Sequence, residues 1–365
     1  MSRAKVDKPF LFVAITLTVA GFFIFSSASL GLLARGAENY SSVAFSQTVL
    51  GLFLGTVAFF FAMRSDYKFW KKSAFYILLG ALILNVLVLV VGAEINGARR
   101  WLSFGGLSFQ PAEFLKFAFI IYFAAWASGV KNKFKEFRYG FLPLIILLSI
   151  VSVLLLLQKD TDNLAMIVVA GMAIFVSAGG KWRHLLALIM VGVISLSFVA
   201  FSRPYVMQRI TTFMHPQVDS QGAGYQIQQS LIAVGSGGLT GRGFGQSVQK
   251  FNFLPEPVGD SIFAVAAEEF GFFGGVLLIL LFASYATRGL KIASKVSDNF
   301  ARLTVVGIVI MIAAQAFVNI GAMLGVVPLS GITLPFVSHG GTSLFFTLLE
   351  TGIVLSVSRT QKGSR

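Results

Sequence analysis

Long apolar runs broken by short polar stretches set the pattern of this chain from end to end. Ten such runs lie near residues 9–33, 44–63, 72–92, 112–129, 139–157, 163–180, 183–202, 261–285, 301–326 and 341–358. Each is close to the ~20 residues that cross a hydrocarbon core roughly 30 Å thick. Inside lipid every backbone N–H and C=O needs a partner within the protein, so runs of this length read as helices. The expected fold is an all-α polytopic membrane protein with ten transmembrane helices, a single membrane domain over 1–365. The connections are short except for residues 203–260, between helices seven and eight. Long connections of that kind are usually functional or disordered. Composition argues against disorder here, because half-apolar YQIQQSLIAVGSGGLTGRGFGQ (Tyr225–Gln246) ends in six glycines within residues 235–245. No internal repeat is visible, which weakens an inverted-repeat transporter reading.

Composition sharpens this picture. The 365 residues are 56% hydrophobic and only 12% charged, against about 25% charged in soluble domains, and mean hydropathy is +0.81. Arg3, Lys5 and Lys8 precede the first run as in a secretory signal, but Pro9–Leu33 far exceeds an apolar signal core of about 7–15 residues. It reads as a retained span. Without cysteine, disulfides and thiolate metal sites are excluded.

The net charge of +14 invites a nucleic-acid partner, and the placement of the charges argues against one. With the N-terminus in the cytoplasm, 20 of the 29 Lys and Arg fall in alternate segments: the two tails, 64–72, 131–138, 181–183 and 288–302. That alternation is the positive-inside pattern of a chain with both termini cytoplasmic. Its partner is anionic lipid. Residues 203–260 then form a large extracytoplasmic loop.

The residues with chemical potential gather on that outer side. Asp260 follows Pro255, Pro257 and Gly259 at the mouth of run eight. It reads either as a helix N-cap or as a general base or ligand. On a helix starting at Asp260, Glu268 lies two turns deeper and about 80° round, with Glu269 facing the other way. Intramembrane carboxylates normally face a cavity or a partner, so these two and Glu350 are candidates for function or for buried pairing. Glu113 and Lys116 are three apart and can pair along one helix face. Arg99 and Arg100 put positive charge where it is normally scarce, beside Trp101, an interface residue by type. Arg203, Arg209, Arg242 and Lys250 lie beside the glycine-rich stretch and suit a phosphate or diphosphate, with plain solvation as the alternative. Ser338 offers a hydroxyl in the last outer loop, where lone His339 reads as a hydrogen-bonded structural residue.

Four stretches carry a resemblance: NGARRWL with FQPAEFLK, YQIQQSLIAVGSGGL, GFGQSVQKFNFLPEPVGDSIFAVAAEEFG, and NIGAMLGVVPLSGITLPFVSHGG. In this order they resemble the SEDS family of cell-wall polymerases (FtsW, RodA, SpoVE) over nearly the whole chain, with GQSVQK and LPE closer to the FtsW/SpoVE branch. The resemblance implies a peptidoglycan glycosyltransferase of the cytoplasmic membrane that polymerises lipid II on the outer face for septal wall synthesis. It also implies a class B penicillin-binding protein as partner, other division proteins, and a divalent cation (Mg or Mn) as a possible cofactor. Asp260 matches the family's essential loop aspartate; Glu113 and Lys116 match its Glu and Lys; Arg100 and Trp101 match its RW pair. Three places depart: QKDTDN stands for QPDLGT, so Asp162 and Asn163 replace glycine and threonine, His339 replaces a tyrosine, and Val258-Gly259 replaces His-Thr. A lipid II flippase and a non-catalytic division scaffold are the rival functions. The first needs polar groups open to both faces, whereas the cytoplasmic half offers only basic loops and apolar helix. The second leaves the outward polar cluster without purpose.

Overall fold

The computed structural model describes residues 6–34, 40–95, 97–104, 107–202, 207, 211–215 and 222–360. Helices occupy 78% of it. Helix α1 (Lys8–Ala34) starts on Asp7, whose carboxylate accepts from Phe10 N at 3.0 Å. Then come α2 (Tyr40–Arg64), α3 (Tyr67–Val91), α4 (Pro111–Val130) and α5 (Phe137–Leu157). The chain continues through α6 (Thr161–Ser177), α7 (Trp182–Ser202), α8 (Ala223–Ser236), α9 (Ile262–Lys295), α10 (Asn299–Met323) and α11 (Gly341–Ser358). Asp66, Asp160 and Asp298 cap α3, α6 and α10 with side-chain oxygens on backbone N–H groups.

Among the described residues, eight helices (α1 to α5 and α9 to α11) are long and apolar enough to cross a membrane. The expected spans six and seven correspond to α6 and α7, with Thr161–Ser177 and Trp182–Gly192 as shorter apolar stretches. The protein is thus a multi-pass helical membrane protein. Burial sorts the helices: 94% of the most apolar 18 residues are enclosed in α11 and 78% in α10, against 28% in α3. Helices α10 and α11 therefore form the centre, with α4 beside them, and α3 faces outward. Helix α1 comes close to the loops above this centre. A Cβ on Gly21 would collide with the Phe336 carbonyl, and one on Gly31 with the Lys250 carbonyl.

Two expectations need correction. The chain is not all-α: β1 (Ala93–Ile95), β2 (Ala98–Phe104) and β3 (Leu107–Phe109) form an antiparallel meander before α4. Glu94 pairs with Arg99 and Ser103 with Ser108 in its register. The residues ARRWLSF alternate across a strand, and Gly97 at φ 72° turns the chain into it; their side-chain types alone suggested only an interface patch. Helix α9 is also two pieces. It begins at Ile262, after Ser261, and Gly271 breaks it at φ 66°, ψ −165°, a conformation open in practice only to glycine. Asp260 therefore stands outside the helix and is not its N-cap.

Candidate active site

Asp260 is held through its backbone. The Asn319 amide donates to Asp260 O at 2.9 Å and to Ile332 O at 2.7 Å, joining two loops from a buried position on α10. The Ser338 hydroxyl donates to Gly259 O at 2.8 Å and accepts from Leu334 N at 2.7 Å. His339 N donates to Val258 O at 2.7 Å. Residues 258–260 are thus sewn to the 332–339 loop, leaving the carboxylate of Asp260 half-buried.

That carboxylate and a second acid both approach exposed Gly331. A side-chain atom added at exposed Gly331 would lie 3.7 Å from Asp260 Oδ2 and 3.4 Å from Asp162 Oδ2. Gly331 N donates to Asp162 Oδ2 at 3.3 Å. Asp160 is buried and accepts from Asn163 N and Nδ2 at 3.2 and 2.8 Å and from Gln110 at 3.4 Å. It is the cap of α6, not a free acid.

Backbone strain concentrates around the same place. Among the described residues three non-glycine positions have positive φ: Lys159 (57°), Glu256 (45°) and Phe336 (66°). They adjoin Asp160, precede Asp260 by four, and precede Ser338 by two. Each such residue costs on the order of 1 kcal/mol or more, and such strain clusters at functional sites. The Lys159 turn is fastened by Arg100, which donates to Gln158 O at 3.3 Å and to Lys159 O. Lys159 Nζ returns to Gly97 O at 2.7 Å. Arg100 therefore positions the start of α6 from strand β2. Trp101, half-buried, pairs with Ala93 in the same sheet.

Below the loops, Glu113 and Lys116 form the expected pair, 2.8 Å apart and almost wholly enclosed. Lys116 Nζ also donates to Gln315 Oε1 at 3.1 Å. The Gln315 amide nitrogen donates to Thr333 O at 3.1 Å and approaches Thr333 Oγ1 at 3.3 Å. Buried Glu350 on α11 lies close enough to interact with both charges of the pair.

The glycine-rich stretch is not an open anion cradle. Arg242 N and Gly243 N donate to Glu268 O and Glu269 O at 3.0 Å each. Phe272 N donates to Gly238 O at 2.8 Å, past the Gly271 break. The N–H groups of Arg242 and Gly243 thus satisfy the carbonyls of the helix end before the break, and the carbonyls of Gly238 and Leu239 accept from the helix start after it. Glu268 receives Ser247 Oγ at 2.5 Å, Val248 N at 3.1 Å and Gln249 N at 3.3 Å, with Arg242 at 3.5 Å. Glu269 receives Lys250 Nζ at 2.7 Å, and Ser27 Oγ of α1 lies 2.6 Å away. Lys250 is fully buried. Glu268, Glu269 and Lys250 therefore build one clamp, and the two acids serve the same segment instead of facing opposite sides, because the short helix before Gly271 is wrapped by it. Arg242 is half-exposed beside this clamp. Arg203 and Arg209 lie outside the described residues.

His339 differs in part from its expected role. Its backbone N is bonded, yet Nε2 has no partner, and the ring stacks on Phe25 at 6.2 Å. Burial pushes its pKa down to about 4, so the ring is neutral at pH 7. Gln315, Asn319 and Thr333 were not singled out by the sequence. The one signal for Gln315 and Asn319 was a pair of amides four residues apart in the otherwise apolar stretch Val305–Met323.

Fold and site together define a membrane-embedded helical protein that presents carboxylates in a polar opening where the bundle meets its loops. The chain belongs to the FtsW/RodA/SpoVE family, whose profile, described as "Cell cycle protein", matches residues 8–363. It is 37% identical over 364 residues to stage V sporulation protein E of Bacillus subtilis, covering 98% of this chain and 99% of that one. It is 36% identical over 364 residues to a protein of Geobacter metallireducens named "Probable peptidoglycan glycosyltransferase FtsW", covering 99% and 96%. A chain from a peptidoglycan synthase complex that coordinates polymerization and crosslinking superposes with a TM-score of 0.81 at 29% identity, covering 98% and 99%. The rod shape determining protein RodA of Thermus thermophilus superposes at 0.70 with 28% identity, covering 98% of each chain.

Proposed function

We propose that this protein is a peptidoglycan glycosyltransferase that joins lipid II disaccharide units into glycan strands and releases polyprenyl diphosphate. Its place is the cytoplasmic membrane, with both termini inside and the opening at Gly331 facing outward; the asymmetry of Lys and Arg supports that orientation. Similarity to sporulation and FtsW proteins supports a septal role. The chemistry is attack of an acceptor sugar hydroxyl on the anomeric carbon of a lipid-linked donor. A new C–O bond forms, the bond to the diphosphate breaks with its electron pair, and the hydroxyl proton passes to a carboxylate. Asp260 is that base, or orients the acceptor, once substrate brings the hydroxyl within about 3 Å.

The observation that carries this reading is exposed Gly331, with the Asp260 and Asp162 carboxylate oxygens each within 4 Å of the place a side chain there would occupy. The departing diphosphate calls for positive charge. Half-exposed Arg242 and Arg203 and Arg209 of the long loop are the candidates, whereas Lys250 is already spent on Glu269. Among the described residues no three His, Cys, Asp or Glu side chains converge as a metal site, so a divalent cation would be held by one or two carboxylates together with the donor's diphosphate. Resemblance to a chain of a synthase complex supports a class B penicillin-binding protein as the cross-linking partner. Purified protein tests the assignment: Asp260→Asn is expected to abolish polymerisation of lipid II while the protein stays folded. Full activity of that variant, or lipid II translocation without polymerisation by the unaltered protein, would overturn it.

A further inference from the structure

Helix α10 carries two buried amides one turn apart, Gln315 and Asn319, in the otherwise apolar stretch Val305–Met323. Each faces two separate structures. Gln315 accepts from Lys116 at 3.1 Å on one side and donates to Thr333 O at 3.1 Å on the other. Asn319 donates to Asp260 O and Ile332 O at 2.9 and 2.7 Å. Thr333 and Ile332 are neighbours in the loop that carries Gly331. A continuous polar path thus runs from the Glu113–Lys116 pair inside the bundle, through Gln315, to the loop that Asn319 ties to Asp260. An apolar residue at Gln315 would remove the donor to the half-buried Thr333 carbonyl. One at Asn319 would remove the donor to the buried Ile332 and half-buried Asp260 carbonyls, and α10 would no longer fix those loops.

We propose that Gln315 and Asn319 are positioning residues: through them the buried Glu113–Lys116 pair sets where the Asp260 carboxylate sits over Gly331. The inference rests on Asp260 serving the polymerising reaction and names what aims it. Neither amide touches substrate. Displacing a reacting group by about 1 Å costs on the order of a hundredfold in rate, so a loosened loop lowers kcat far more than it raises KM.

Gln315→Glu separates the two ends of the path. The carboxylate is isosteric and still meets Lys116, but it has no proton to donate to Thr333 O and repels that carbonyl. Full-length purified Gln315→Glu and Asn319→Leu proteins are compared with wild type on lipid II, with thermal unfolding recorded for each. We expect kcat for both to fall on the order of a hundredfold, with KM changed severalfold at most. Wild-type kcat in Gln315→Glu would overturn the proposal, because the amide would then matter only as a partner for Lys116.

A second measurement holds if Asn319→Leu folds poorly. The chain has no cysteine, so spin labels at Asn252→Cys and Pro328→Cys, both exposed, report the spacing of the two loops. A broader distance distribution in Gln315→Glu than in wild type is expected, and an unchanged one overturns the proposal. Asp260→Asn run in parallel keeps the outcomes apart. If that variant polymerises normally, the function assigned to the site fails; if it is dead while Gln315→Glu is normal, only the positioning role fails.

Discussion

Two buried carboxylate–lysine pairs of nearly equal geometry lie in this protein, Glu113–Lys116 at 2.8 Å and Glu269–Lys250 at 2.7 Å. Their surroundings differ. The second closes on itself: Lys250 also donates to Ser27 and Gly245 O, both at 2.9 Å, so a segment of the long loop is locked against α1. The first opens toward the site through Gln315 and Thr333. Burial of charge therefore does not separate function from architecture here. What separates them is where the remaining hydrogen bonds lead.

The largest expected effect comes from breaking each pair on one side. Removing one partner of a buried pair strands the other charge and costs about 3–5 kcal/mol. Lys250→Met and Glu113→Gln should both lower the denaturation midpoint of the solubilised protein strongly. The double variants sharpen the contrast. Lys250→Met with Glu269→Gln removes both charges, keeps an acceptor for Ser27, and should regain folding and polymerisation together. Lys116→Met with Glu113→Gln should regain folding but stay inactive, because the contact with Gln315 is gone. A folded but inactive clamp double variant would erase the distinction.

His339 sits where the two regions meet. Its ring stacks on Phe25, two residues from Ser27 of the clamp, and its backbone bonds Val258, two residues before Asp260. With its pKa held near 4 by burial, against 6.5 in the unfolded chain, the unfolded state takes up the proton first as pH falls. Stability is therefore intact above pH 6.5 and declines from 6.5 toward 4, by at most about 3 kcal/mol. Denaturation followed across that range should show the decline in wild type and its absence in His339→Phe. If the decline persists in the variant, another group is responsible.

What could be read in the sequence follows from the range of the interactions. Membrane spans depend on local hydropathy, and Glu113 with Lys116 on a helical repeat of three, so both were legible. Asp260 was legible as an acid at the end of a loop, though its N-cap alternative fell once the helix proved to start at Ile262. The glycines at 235–245 were legible as an ordered, glycine-rich segment and read as the neighbourhood of a phosphate site. Their target was not, since the carbonyls of Glu268 and Glu269 that they meet lie more than twenty residues on. For the same reason Lys250 read as a free cation. Gln315 and Asn319 were hidden because an amide in an apolar run shows its purpose only when the loops it bridges are in place. The strand ARRWLSF was missed because its pairing with residues 93–95 and 107–109 outweighs a weak local preference.

The smallest effect belongs to a third pair, which serves as a control for the other two. Arg99 and Glu94 are 3.5 Å apart across strands β1 and β2, with side chains 46% and 58% exposed. Solvent screens such a pair and the side chains lose freedom in forming it, so it contributes about 0–1 kcal/mol. Arg99→Ala should leave the denaturation midpoint almost unchanged, and polymerisation with it, while Arg100→Ala on the same strand releases the Lys159 turn and lowers activity. The two arginines are adjacent in sequence and alike in charge, so any difference between them must come from what each holds. Equal losses in both variants would instead mean that positive charge on this strand acts directly on the substrate.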